Sequence, residues 1–256
     1  MDPYLQSLTD SVARFRAALA IGPVDAPVAA CPGWDLAELA RHLGFIQRWA
    51  RLAAVTGERP DARAIQTGPS GAAHGPVELD AWLAVGAEEL IRDLEALPLD
   101  APTWHPFGAP QVAGFWRRRQ ANEALVHAWD AEHAVGMSLD APLERVLRPA
   151  MCADGIEEYF SVVVPRIVGR ANHTAPIGTL LITAADTGTR LVVESDGTVI
   201  TVATVAVVDH PPENIDPTGE LRGSAEDLLL ALWGRRALSH EPVDGLAADW
   251  LAFGRN

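Results

Sequence analysis

A chain of 256 residues, 48% of them hydrophobic, is long enough for one large domain or two ordinary ones and is not a disordered polymer. Its 34 acidic residues against 20 basic leave a formal charge of −14, which argues against general binding to nucleic acid or to an anionic membrane. No apolar run approaches the roughly 18 to 20 residues of a membrane span, and Met1-Asp2-Pro3-Tyr4 does not open like a signal peptide. The expectation is a cytoplasmic protein with neither nucleic acid nor membrane as partner.

Leu5, Leu8, Val12, Phe15 and Leu19 recur at spacings of three and four, which predicts an amphipathic helix over about 4–20, ended by Gly22-Pro23. In Cys31-Pro32-Gly33-Trp34-Asp35 the Pro-Gly pair makes a turn, and Asp35 with Glu38 forms a capping box that opens a second helix. Its apolar stripe, Leu36, Leu39, Leu43, Ile46 and Ala50, runs to about Val55, with His42 at the stripe's edge. A single hydrogen bond to a neighbour would satisfy such a histidine without any metal. Residues 57–75 read as a long connection and 76–97 as a third helix, closed by Pro98 and Pro102. The aromatic segment Thr103–Gly108 suits a pocket lid or a packed connection. Cys31 and Cys152 match no zinc or redox spacing, so both are expected as reduced, small core residues.

A fourth helix is predicted from about Val112 to Val135, closed by Gly136. Within it Glu123 and His127 stand four residues apart, which at 3.6 residues per turn returns the side chain to within about 40° of its starting direction. A carboxylate and an imidazole then project from one face, as two metal ligands would need. Their neighbours on that face, Trp116, Gln120, Ala124, Ala131 and Ala134, suggest that it points inward. There an unpaired carboxylate would cost several kcal/mol, which a cation would offset. The alternative is a pair with Arg119, also four residues away, on a solvated face. Four such helices suggest a bundle, where metal sites are built from facing helices. His42, Glu123 and His127 would supply three ligands and leave a fourth position open, the mark of a catalytic zinc site.

Beyond Gly136 the pattern changes. A helix fits Leu143 to Val168, followed by β-branched segments at 177–183, 190–194 and 198–208, with Asp196-Gly197 as a hairpin signal. A Pro-rich loop over 210–218 precedes a helix capped by Ser224, and a short terminal helix contains Asp249-Trp250-Leu251. The fold class is α+β, with a helical domain over 1–140 and a smaller α+β domain over 141–256.

Four segments carry a family resemblance: Cys31-Pro32-Gly33-Trp34-Asp35 with the following Arg41-His42-Leu43-Gly44, Asn122-Glu123-Ala124-Leu125-Val126-His127, Gly223 to Arg235, and Trp250. Together they resemble the mycothiol-dependent maleylpyruvate isomerase family, whose bundle belongs to the wider DinB-like fold and whose C-terminal domain is sterol-carrier-like. The resemblance implies zinc at His42, Glu123 and His127, and mycothiol as a thiol cosubstrate. It also implies a catalytic arginine in the second domain, with Arg235 matching and Arg236 beside it leaving the choice open. The thiol would fill the open zinc position as thiolate and attack a small electrophile, as an isomerase if the thiol is returned or as an S-transferase if it is not. Where Asn122 and Ala128 stand, many relatives carry His and Arg, so the substrate can differ. A binding or regulatory protein on the same fold, or a hydrolase using zinc-bound water, are the rival readings. Oligomeric state stays open.

Overall fold

A computed structural model describes residues 2–65, 67–69, 75–137, 148–170, 173–205, 216–238 and 245–253. The chain forms two compact units, Met1–Pro142 and Leu143–Asn256. The expected boundary at 140–141 lies outside the described residues.

The first unit holds α1 (Pro3–Ile21), α2 (Leu36–Thr56), α3 (Pro76–Ala96) and α4 (Ala113–Ala134). Three of the four starts have a local cause. The Asp2 carboxylate accepts from the Tyr4 and Leu5 amides at 2.8 and 3.3 Å. The Asp35–Glu38 capping box forms as expected, at 2.7 and 3.0 Å. Pro76 sits where α3 has no use for an amide donor.

Helix α1 packs on α4 and α3, and α2 packs on the same two, so α1 and α2 stand at opposite corners of the bundle. Two of the three connections, α1 to α2 and α3 to α4, therefore cross a diagonal. At Gly44 a Cβ would stand 2.2 Å from the Trp82 ring, so this glycine lets α2 and α3 approach closely. The segment Thr103–Gly108 is the packed connection: His105 is 2% exposed, stacked on Phe115 at 3.7 Å, and Thr103 donates to the Ala53 carbonyl at 2.9 Å.

Arg117 gathers the bundle from inside. Its guanidinium donates to the Leu94 and Leu97 carbonyls that end α3, and to Asp2, the cap of α1.

In the second unit α5 (Arg148–Glu158) runs through a π-helical turn, Tyr159–Val163, into α6 (Val164–Val168). The single helix expected there is thus interrupted; its first residues, 143–147, lie outside the described set. The Val164 amide reaches back to the Tyr159 carbonyl, and Pro165 has no amide to offer the preceding turn.

Strands β1 (Gly178–Ala184), β2 (Thr189–Ser195), β3 (Ile200–Val205) and β4 (Gly219–Gly223) form one sheet in the order β3-β2-β1-β4. The pairs β1–β2 and β2–β3 are antiparallel and β1–β4 is parallel. Strand β4 has no counterpart in the sequence reading. Its Gly-Glu-Leu-Arg-Gly lacks β-branched residues and buries only Leu221, so it is a strand because β1 offers it a register. The expected strand at 198–208 is seen over 200–205, and its last three positions fall outside the described residues, as does most of the expected Pro-rich loop. Helix α7 (Ala225–Leu232), capped by Ser224, packs on α5, and α8 (Gly245–Phe253) lies against β4. Among the described residues no helix is long and apolar enough to cross a membrane.

Candidate metal centre

Two ring contacts set the direction of the α2–α4 seam. His42 meets His127 at 5.2 Å, and Trp49 meets Trp116 at 5.6 Å. Advancing seven residues along α2 goes with retreating eleven along α4, so the helices run antiparallel.

At the His42 end three side chains converge. Glu123 Oε1 stands 3.2 Å from His42 Nε2 and 3.3 Å from His127 Nε2. One ligand atom from each of the three residues lies within 4.8 Å of the others. The histidine–carboxylate separations are compatible with a shared cation. Two ligands about 2.1 Å from a tetrahedral cation stand about 3.4 Å apart, so the gaps that serve here as hydrogen bonds are also close to the edges of a metal polyhedron. Two imidazoles and a carboxylate form a catalytic zinc donor set. These residues fit a divalent cation.

Three further residues support the set. Arg119 pairs with Glu123 Oε2 and leaves Oε1 to the histidines. The pair expected as the alternative to metal binding therefore exists, yet its face is not solvated: the Arg119 and Glu123 side chains are 10% and 14% exposed. Asp130 Oδ2 accepts from His127 Nδ1 at 3.0 Å, with its own side chain wholly buried. This bond fixes the ring so that Nε2 faces Glu123, as ligating histidines generally require. Trp34 lies against the His42 ring, with centroids 4.9 Å apart.

Burial alone would raise the Glu123 pKa, but the Arg119 charge and the two imidazole bonds outweigh it and hold the carboxyl well below its ordinary range. Burial would depress the His127 pKa. The hydrogen bonds to Asp130 and Glu123, together with their charges, override that and push it up to about 9.

Asp130 was missed because a carboxylate in a long helix reads as solvent-facing; the His-x-x-Asp spacing was its only local sign. Cys31 was misjudged as a small core residue. It is half-buried, and it forms a second donor cluster with His127 and Asp130. Cys152, by contrast, is 2% exposed, as expected of a core residue. Arg235 belongs to the other unit, where its guanidinium donates to the Trp233 carbonyl at 2.9 Å and lies over the Trp233 ring. Arg236 is exposed and paired with Asp227 at 3.0 Å.

Residues 5–132 match the mycothiol maleylpyruvate isomerase N-terminal domain, and residues 150–252 match the MDMPI C-terminal domain. The chain belongs to the mycothiol-dependent maleylpyruvate isomerase family. Solved structures of the mycothiol-dependent maleylpyruvate isomerase and of a histidine-to-alanine variant share the fold of this family member. In each case the TM-score is 0.55 at 13% identity, over 91% of this chain and 88% of the other. No curated protein is significantly similar to the chain in sequence.

Proposed function

We propose that the chain is a zinc- and mycothiol-dependent enzyme that activates a thiol for attack on a small electrophile, as an isomerase or an S-transferase. The observation that carries this reading is the convergence of His42 Nε2, His127 Nε2 and Glu123 Oε1 at metal-edge spacing. A bound zinc ion would supply Lewis acidity, keeping a coordinated thiol deprotonated at neutral pH.

The chain's own residues do the rest. Glu123 and the two histidines would hold the cation and would leave a fourth position to an outside ligand. Asp130 keeps His127 in the ligating orientation, and Arg119 anchors Glu123 through the oxygen that is not offered to the cation. With His127 neutral, the two carboxylates do not cancel the charges of a divalent cation and Arg119, so the pocket retains a positive excess that favours an anionic sulfur ligand over a neutral one. In the second unit Arg235, held against Trp233, is the residue that would receive a substrate carboxylate, with Arg236, paired with Asp227, as the alternative. The substrate class is an activated alkene bearing a carboxylate. A reducing cytoplasm suits an enzyme that uses a free thiol.

The test combines metal analysis with turnover. Purified protein is expected to hold one zinc per chain and, with mycothiol, to convert maleylpyruvate to fumarylpyruvate, while His127→Ala loses both metal and activity. Zinc without fumarylpyruvate would sink the isomerase reading and leave thiol conjugation of other electrophiles. No stoichiometric zinc would sink the enzyme reading altogether.

A further inference from the structure

The turn Cys31-Pro32-Gly33-Trp34 lies beside both histidines of the centre. Trp34 covers His42, while Cys31 enters a second donor set in which one ligand atom each from Cys31, His127 and Asp130 lie within 4.8 Å of one another. This set and the His42–Glu123–His127 set share His127 and no other residue. Asp130 holds the Nδ1 side of the ring and Glu123 stands at Nε2, so the thiol lies beside a histidine that already has a partner at each nitrogen.

Backbone geometry fixes that placement. The Cys31 amide donates to the Val28 carbonyl and the Trp34 amide to the Cys31 carbonyl, both at 3.0 Å. Pro32 and Gly33, the latter at φ +84°, fill the two central positions of a type II turn, where the second requires a positive φ. Half-buried Cys31 is within reach of small reagents, and Cys152 is not.

We propose that Cys31 is a modification site for low-molecular-weight disulfides, and that a mixed disulfide there loosens the metal centre. This rests on the cation site proposed above. In the step, the Cys31 sulfur attacks one sulfur of the small disulfide. A Cys31–S–S–R bond forms and the reagent's own S–S bond breaks. The departing RS group takes the bonding pair and, in net terms, the proton released by Cys31, leaving as RSH. The small disulfide is the oxidant, and a further thiol reverses the exchange.

The adduct must occupy space beside the bonded His127–Asp130 pair. Either Asp130 is displaced from the ring or the turn moves and takes Trp34 from His42. Loss of a partner that orients a ligating histidine lowers metal affinity about 10- to 100-fold.

The experiment treats the zinc-loaded full chain with cystamine, locates the adduct by peptide mass mapping, and measures zinc affinity by competition with a chromogenic chelator. The expected result is one cysteamine adduct, on Cys31, with zinc affinity lowered at least tenfold and restored by a phosphine reductant. Cys152→Ser should behave like the parent, and Cys31→Ser should keep its zinc under cystamine. The proposal is overturned by an adduct on Cys31 that leaves affinity within twofold, by native protein that takes no adduct there, or by equal zinc loss in Cys31→Ser. Loss of helical circular dichroism along with the zinc also overturns it, because the adduct then unfolds the bundle rather than loosening the centre. Untreated protein that holds no zinc removes the metal centre and this coupling together; zinc-binding protein indifferent to the adduct removes the coupling alone.

Discussion

The two ends of the α2–α4 seam are built from the same pair of helices and do opposite things. At one end Trp49, Trp104 and Trp116 pack edge to face at 5.5 and 5.6 Å, and Trp116 Nε1 is satisfied by Thr103 and the Trp104 carbonyl at 3.1 Å each. That end is closed, with Trp116 1% exposed. At the other end His42 keeps 29% of its side chain exposed, and the donors there point at one another rather than into a packed layer. The aromatic end has a large buried apolar area and all of its Trp116 hydrogen bonds made. The donor end holds charges whose mutual bonds a cation could replace. Close packing and the candidate donor set are thus separated along one seam rather than between core and surface.

The strongest way to break that separation is Trp116→Ala. Truncating a fully buried tryptophan should cost about 3–5 kcal/mol of unfolding free energy by urea titration, while the protein that remains folded keeps its zinc stoichiometry. A fall in stoichiometry would mean that the two ends are one cooperative unit.

Next in size is the response of the donor end to pH. In metal-free protein the His127 pKa is raised to about 9 from an unfolded value near 6.5. The stability it contributes is therefore complete below about pH 6.5 and is lost as pH rises through 9, on the order of 3 kcal/mol by linkage. Urea midpoints of the metal-free protein should fall across that window, and those of His127→Gln should fall less. Zinc affinity should move the other way, rising about tenfold per unit up to pH 9, because the cation displaces the His127 proton. Flat midpoints between pH 6.5 and 9 would contradict the charged imidazole.

The finest probe is Asp130→Asn. It preserves shape but removes the charge beside His127 Nδ1, so zinc affinity should fall about 10- to 100-fold with the tryptophan fluorescence of the other end unchanged. An affinity equal to that of the parent would reduce Asp130 to a packing residue.

Much of this is legible in the sequence. The Asp35–Glu38 box, the four helices and the shared face of Glu123 and His127 follow from short-range spacing, because helix periodicity decides which residues share a face. His42, 81 positions from Glu123, is reached only through the expected bundle and the family resemblance. What escaped depended on distant partners. Arg117 and Glu132 look like surface residues of α4, yet both are buried, and their counter-charges come from Asp2 and Arg14, 115 and 118 positions away. Helix α4 is consequently buried over far more of its circumference than its apolar residues suggest. Strand β4 escaped for the same reason, since its pairing with β1 is written in β1. Cys31 escaped because a motif that reads as a turn gives no hint of which helix the turn will meet.

His42 and Glu123 lie 81 positions apart in the chain. Helices α1, α2 and α3 together carry one of the three donors, so no partial bundle made of them can grip an ion, and competence arrives only when α4 docks. A rigid link between residues so far apart would remove, on chain statistics, about 4–5 kcal/mol of freedom from the unfolded ensemble. A ligand seated there is thus also a clasp. It would slow the opening of the seam and leave metal-loaded chains more resistant to proteolysis than metal-free ones.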